Sequence, residues 1–249
     1  MTYAGGEPYS GFAEFYDEML GATAFECWRE NFERLSNRYT MRFETAADIA
    51  CGTGLAARYL AGRCRRVYAV DRSEAMLRIA SRRKAPGEVI VIRQSFEELK
   101  LPERVDLLTC NFDSLNYLLE EAALAATFAR FRSSLEQGGF AVFDINTARE
   151  LSGWMGTEVR VHRPAGAASF WELGWDPGTR LSSVKMTNFS RREGGFLMSA
   201  EEHVERAYDL GPLVDMIIDA GFAGVGALDA RGLGRVDDET RRVQFVARA

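Results

Sequence analysis

The sequence predicts an α/β protein, a doubly wound and mostly parallel sheet carrying an inserted antiparallel β segment, on three observations. Short apolar runs near residues 46–50, 66–70, 89–92, 105–110 and 140–144 alternate with stretches of helical periodicity. The first run passes through closely spaced glycines into a helix. After Asn146 the alternation stops and hairpin chemistry replaces it. Strands apolar along their whole length and separated by helices indicate a parallel sheet covered on both faces.

Each element follows in chain order. Residues 12 to about 39 read as one helix, with Trp28, Phe32 and Leu35 at i, i+4 and i+7 forming an apolar stripe among Glu and Arg. Ala46-Ala47-Asp48-Ile49-Ala50 then enters Cys51-Gly52-Thr53-Gly54 and a helix over 55–60, the opening of a βαβ unit. The second strand, Arg66-Val67-Tyr68-Ala69-Val70, ends in Asp71, and Ser73 caps the helix carrying Glu74, Met76, Leu77 and Ile79. Three more strands follow, with a helix near 120–135 before the last. In the insert, Trp171-Glu172-Leu173-Gly174-Trp175 turns at Asp176-Pro177-Gly178 into a strand over 181–189. A second hairpin turns at Arg191-Arg192-Glu193-Gly194-Gly195 and returns along 196–204. Trp171 and Trp175 share a face and are read as the insert's own core. A helix over 210–220, closed by Gly221-Phe222, and strands at 225–228 and 242–247 complete the sheet. The organisation expected is a helical lid over 1–42, a core over 43–148, an antiparallel insert over 149–208 and a C-terminal completion over 209–249.

Composition narrows the partners. With 249 residues, 47% of them apolar, the chain can bury a large core of its own. Thirty-six acidic against 31 basic residues give a net charge of −5, which lacks the electrostatic footprint of a protein that tracks nucleic acid or anionic lipid. A small-molecule partner is expected, with the chain a monomer or homodimer. No apolar run approaches the roughly 18 to 20 residues that cross a bilayer, and the N-terminus has no basic segment leading into an apolar one. Cys27, Cys51, Cys64 and Cys110 form no CxxC pair and no His stands at zinc-ligand spacing, so neither a disulfide framework nor a metal site is expected. A reducing cytoplasm is the compartment this predicts.

The glycine turn carries the chemistry. Gly52 and Gly54 between strand and helix let the backbone approach a ligand with no Cβ in the way, and aim helix N-terminal amides at it. Asp71, 17 positions past Gly54, stands at the end of the second strand where a carboxylate accepts both hydroxyls of a ribose. Together they predict an adenosine-type ligand. Gly52-Thr53-Gly54-Leu55-Ala56-Ala57 also satisfies the permissive dinucleotide fingerprint. Asp48 separates the two, because a pyrophosphate gains nothing from a carboxylate there whereas an ammonium-bearing methionyl group does.

These residues resemble the class I S-adenosylmethionine-dependent methyltransferases. Asp48-Ile49-Ala50-Cys51-Gly52-Thr53-Gly54 resembles the family's first motif, and Val67-Tyr68-Ala69-Val70-Asp71 with Ser73-Glu74-Ala75-Met76-Leu77 its second. The resemblance implies a Rossmann-like sheet of seven strands with the last antiparallel, and S-adenosylmethionine as cofactor. It implies that the backbone of Ala50, Cys51, Gly52 and Gly54 meets the methionyl part, that Asp71 holds the ribose, and that Arg72, Met76 and Phe96 lie by the adenine. Asn111, just past the fourth strand, would flank the methionyl amine or the transferred methyl. The family usually places an Asp after the third strand; here Ser95 stands there, a neutral and weaker acceptor. The N-terminal segment containing Tyr9 and Tyr16, the segment Asp113-Ser114-Leu115-Asn116-Tyr117 and the β insert also resemble a bacterial small-molecule branch, in which such tyrosines close over the cofactor.

Methyl transfer from a sulfonium is an in-line displacement, so the protein chiefly positions a nucleophile and excludes water. The acceptor is expected to be a nitrogen or oxygen of a small molecule. A base is required only for a nucleophile that arrives protonated, and Asp144 at the end of the fifth strand and His203 on the last insert strand are the candidates. Alternation over 196–204 puts Leu197, Ser199, Glu201 and His203 on one face, turned to the cleft or to bulk water. A nicotinamide-dependent oxidoreductase would share the glycine turn and Asp71, and a non-catalytic cofactor-binding regulator would share the whole cofactor half.

Overall fold

The computed structural model describes residues 8–9, 11–162 and 166–249. Its centre is a seven-stranded sheet formed by β1 (Thr45–Ile49), β2 (Arg66–Asp71), β3 (Glu88–Arg93), β4 (Val105–Cys110), β5 (Leu135–Asn146), β10 (Gly224–Asp229) and β11 (Arg242–Arg248). The order is β10-β11-β5-β4-β1-β2-β3. The first five run parallel, and β11 is antiparallel to both of its neighbours.

Alternate residues of these strands feed two separate cores, which makes the sheet doubly wound. Ala47, Ile49, Leu108, Cys110, Phe143 and Phe245 pack against α5 (Glu121–Ser134) and α7 (Leu210–Asp219) through Leu124, Phe128, Phe131, Leu213 and Ile217. Ala46, Val67, Ala69, Leu107, Val142 and Val246 face Trp28, Phe32 and Leu35 of α2 (Ala22–Arg38) and Ala56, Ala57 and Leu60 of α3 (Leu55–Leu60). Ser73 caps α4 (Glu74–Arg82), its hydroxyl accepting from the amide of Met76 at 3.3 Å.

The insert is a second sheet, β6 (Gly156–His162), β7 (Ala167–Asp176), β8 (Leu181–Arg192) and β9 (Gly195–Arg206), antiparallel throughout. The Asp176 carboxylate fixes the β7–β8 turn by accepting from the Gly178 amide and the Thr179 hydroxyl, both at 2.8 Å. β6 was not legible as a strand, because it is an edge strand whose Thr157, Glu158 and Val159 are all exposed and so carries no apolar alternation. A short α6 (Ala148–Leu151), capped by Thr147, connects the core to it.

The expected single N-terminal helix is broken. α1 (Ala13–Tyr16) passes into a π-helical turn, Asp17–Gly21, before α2. The Tyr16 ring folds back over Gly21, where a Cβ would meet it at 2.9 Å, so the side chain occupies space that a regular helix with a larger residue would fill.

One buried amide ties the two sheets. Asn116, fully buried in the 3₁₀ turn Ser114–Tyr117, donates to the carbonyls of Asn146 on β5 (3.0 Å) and Arg206 on β9 (2.9 Å) and accepts from the Asn146 amide (2.9 Å). Replacing Asn116 by Ala leaves three buried backbone groups unpaired, and unfolding in urea is expected to show a loss of about 2 to 4 kcal/mol; a loss below half a kcal/mol would refute this role.

Candidate active site

Between β1 and β4 the chain leaves the sheet toward opposite faces, which opens a crevice at their carboxyl ends. The β1–α3 loop lines it in an unusual conformation: Ala50, Gly52 and Gly54 have φ of 54°, 55° and 81°. At Gly52 a Cβ would project into open space, whereas at Gly54 it would come within 3.0 Å of the Cβ of Ala80 on α4. Gly52 therefore leaves the cavity clear, and Gly54 lets two helices approach. Asp71 crosses beneath, its two oxygens accepting from the amides of Gly52 and Ser73 at 2.8 Å each, and burial raises its pKa.

This cavity gathers Tyr9, Tyr16, Ala50, Cys51, Gly52, Asp71, Arg72, Met76, Ser95, Phe96 and Asn111 from the sequence-predicted set. Ser95 is held by Glu98, to which its hydroxyl donates at 3.2 Å. Burial pushes the Cys51 thiol well up, so it is no nucleophile at neutral pH. Asp48 and Gly54 lie behind the lining. Asp48 is 2% exposed and accepts from Thr109 at 2.8 Å through one oxygen, while the other has no partner. Burial pushes its carboxyl up to about 7. Asn111, 3% exposed, has no partner for either its amide nitrogen or its oxygen. Unpaired polar atoms this deeply buried are costly in an empty site and fit a zwitterionic ligand.

A second cavity, of about 500 Å³, adjoins the first, and Tyr9, Tyr16 and Phe112 line both. Its floor holds the candidate base Asp144, with Asp113 and Arg242, which sequence reading did not assign. Arg242 donates to Asp113 at 2.9 Å and Asp144 at 3.2 Å, and Asp144 also accepts from the amide of Asp113 at 2.7 Å. Burial raises the Asp144 pKa against the pull of Arg242. The roof supplies Trp171, Leu173 and Val184, with the Arg160 guanidinium stacked 3.7 Å over Trp171. Trp171 is thus not a private core of the insert: it packs edge-on against Phe12 and forms a cavity wall.

His203 corrects both sequence expectations. It is 5% exposed, so it is no solvated strand end, and it lines neither cavity. The polar face of β9 is turned inward, where polar groups satisfy one another. His203 Nδ1 lies 2.7 Å from the Tyr117 hydroxyl, which lies 3.0 Å from that of Tyr9, and Nε2 lies 3.2 Å from Glu201. Glu201 in turn accepts from the Tyr9 amide and from Asn188. At its other end the N-terminal segment is held by Asp17, which accepts from the Thr53 hydroxyl at 2.5 Å and pairs with Arg83.

The buried Asp48 gives a pH signature. Its folded pKa lies above the unfolded value, so its contribution to stability is greatest below about pH 4 and is lost as pH rises through about 7. Between pH 5.5 and 8, Asp48→Asn should gain about 2 kcal/mol relative to wild type in the ligand-free chain. Parallel urea curves whose separation does not change with pH would contradict this.

With this geometry in place, comparison with known proteins is informative. Residues 46–139 match the family model described as a methyltransferase domain. A protein of Geobacillus sp. (strain WCH70) described as a methyltransferase is 28% identical over 247 residues, covering 96% of this chain and 99% of that one. The dTDP-3-amino-3,6-dideoxy-alpha-D-glucopyranose N,N-dimethyltransferase of Streptomyces fradiae is 30% identical over 139 residues, 55% of this chain and 54% of that protein. The crystal structure of an S-adenosylmethionine-dependent methyltransferase from Clostridium acetobutylicum ATCC 824 superposes with a TM-score of 0.82 at 24% identity, covering 96% of this chain and 98% of that one. No helix among the described residues is long and apolar enough to cross a membrane. The matched domain, the doubly wound sheet and the crevice at the glycine turn agree: residues 46–139 form a methyltransferase domain, and the chain has the fold of the S-adenosylmethionine-dependent methyltransferases.

Proposed function

We propose that this enzyme transfers a methyl group from S-adenosylmethionine to a nitrogen or oxygen of a small molecule held in the second cavity. The observation that carries this reading is the junction of the two cavities at Tyr9, Tyr16 and Phe112. A volume of about 500 Å³ suits a metabolite-sized acceptor. The acceptor of the Streptomyces fradiae relative, an amino sugar nucleotide by that enzyme's name, is an example of this class.

In this reading the cofactor supplies an activated methyl on a sulfonium centre. The carboxylate of Asp71 is placed to take the ribose hydroxyls, and the backbone from Ala50 to Gly54 to take the methionyl part. Asn111, with both amide groups unpaired, is the partner for the methionyl amine, and Asp48 beneath adds negative potential. Arg72, Met76, Ser95 and Phe96 border the adenine. Tyr9 and Tyr16 close the junction and exclude water. The insert contributes Glu158, Arg160, Trp171, Leu173 and Val184 to the second cavity, which makes it the determinant of acceptor choice.

Labelled methyl transfer across a panel of amines, phenols and carboxylates tests the reading, and no transfer to any member would sink it. Asp71→Ala removes charge-assisted hydrogen bonds, so calorimetry should show S-adenosylmethionine affinity falling roughly ten- to a hundredfold. Trp171→Ala should raise the acceptor KM while changing cofactor affinity less than about threefold; the reverse pattern would place the insert in the cofactor site.

A further inference from the structure

Beside the junction lies a pair of carboxyl groups that the reading above does not use. Asp113 comes from the core, just after β4, and lines the second cavity. Glu205 comes from β9 of the insert and is 3% exposed. The amide nitrogen of fully buried Asn146 bridges them, donating to Asp113 at 3.0 Å and Glu205 at 3.4 Å. Two buried carboxyl groups held on one amide nitrogen repel each other when both are ionised, which favours a proton on Glu205, the one without a guanidinium partner among the described residues. Burial first and the charge of Asp113 second raise Glu205 well above the usual carboxylate range.

The surroundings aim this pair at the acceptor. Asp113 follows Phe112, which lines both cavities, and the two residues have left-handed φ of 55° and 60° respectively, a conformation that non-glycine residues sustain only when neighbours over-determine it. Here the neighbours are Asp144, which accepts from the Asp113 amide, and Arg242, which holds the Asp113 carboxylate. The groups facing Asp113 are therefore Arg242 from β11, Asp144 from β5, Glu205 from β9 and the charge-sensitive hydroxyls of Tyr9 and Tyr16. One guanidinium stands against three carboxyl groups. With the proton on Glu205 the cluster remains anionic, which favours a cationic acceptor in the cavity above it.

We propose that Asp113 is the catalytic base, relaying the proton of an ammonium acceptor into the Asp113–Glu205 pair, so that the acceptor is an alkylamine; this rests on the small-molecule reading above. The step balances. An N–H bond of the ammonium breaks and an O–H bond forms on Asp113. The freed lone pair forms the N–C bond as the C–S electron pair returns to sulfur. The methylated amine retains its remaining protons, and the proton on the carboxyl pair passes to water as the cavity opens. Asp144 accepts from the Asp113 backbone amide and from Arg242, and so helps to set the Asp113 carboxylate in place.

Two measurements on the full chain test this. Infrared spectra in neutral heavy water with S-adenosylhomocysteine added should show a protonated-carboxyl stretch that Glu205→Gln removes; its absence from wild type, or its survival in the variant, overturns the protonated Glu205. Methyl transfer to benzylamine, an ammonium at neutral pH, is then compared with transfer to aniline, a free base at that pH. Asp113→Asn should lower kcat on benzylamine roughly a hundredfold, with the residual rate climbing with pH as free amine becomes available. On aniline the loss should be less than about fivefold, and S-adenosylhomocysteine affinity should change less than about threefold, which also certifies the variant as folded. Equal losses on both amines, or a wild-type rate on benzylamine, overturn the proposal. If the wild type methylates hydroxyl compounds but no alkylamine, the base assignment falls and the small-molecule reading stands. If it methylates nothing on the panel, both readings fail as catalysis, and the infrared band decides the carboxyl pair separately.

Discussion

The reversal of strand order between β1 and β4 is the constraint on which the rest of the molecule depends. Parallel strands need crossover connections, and when two adjacent strands send theirs to opposite faces, no backbone covers the ends between them. β1 continues into the glycine turn and α3 on one face, whereas β4 continues into the 3₁₀ turn and α5 on the other. Asp48 and Asn111 stand at those two strand ends, buried and incompletely hydrogen-bonded. Such groups weaken the free chain, and in the proposed function a bound cofactor would complete them.

The direction of the last strand does similar work for the second cavity. β11 runs antiparallel to β5, so its first residue, Arg242, lies opposite Asn146, the last residue of β5. A seventh strand parallel to the others would deliver its start to the far edge of the sheet, leaving Asp113 and Asp144 with no cation. Removing one partner of a buried charge pair is worth far more than the pair's net contribution, because the remaining charge stays desolvated. Arg242 illustrates this balance: burial works against its charge, and the two carboxylates more than restore it.

The sequence made the parallel strands, the glycine turn, Asp71 and the Ser73 cap legible because each depends on local pattern. Apolar runs mark β1, β2 and β4, and a Ser three residues before Met76 marks a helix start. What stayed hidden depends on distant contacts. Arg242 opens a strand after a polar stretch and reads as a solvated charge, until topology sets it beside Asp113. His203 sits among Glu and Arg, and its burial follows only from β9 folding its polar face onto the N-terminal segment and Tyr117. The π-helical turn at Asp17–Gly21 is set by the Tyr16 ring and by Asp17 reaching Thr53 and Arg83, none of which periodicity can report.

The N-terminal segment joins the two halves of the site mechanically. Asp17 anchors it to the glycine turn and to Arg83 on the core, while the Tyr9 amide and hydroxyl anchor it to Glu201 and Tyr117 under the insert. Between these anchors Tyr9 and Tyr16 pack edge to face and wall both cavities. In the proposed function both ligands would touch these tyrosines, and binding linkage is reciprocal: whatever factor one changes in the affinity of the other, the other returns. Glu201 and His203 line neither cavity, yet they help to set the tyrosines, because a buried carboxylate that accepts a backbone amide fixes where Tyr9 can stand.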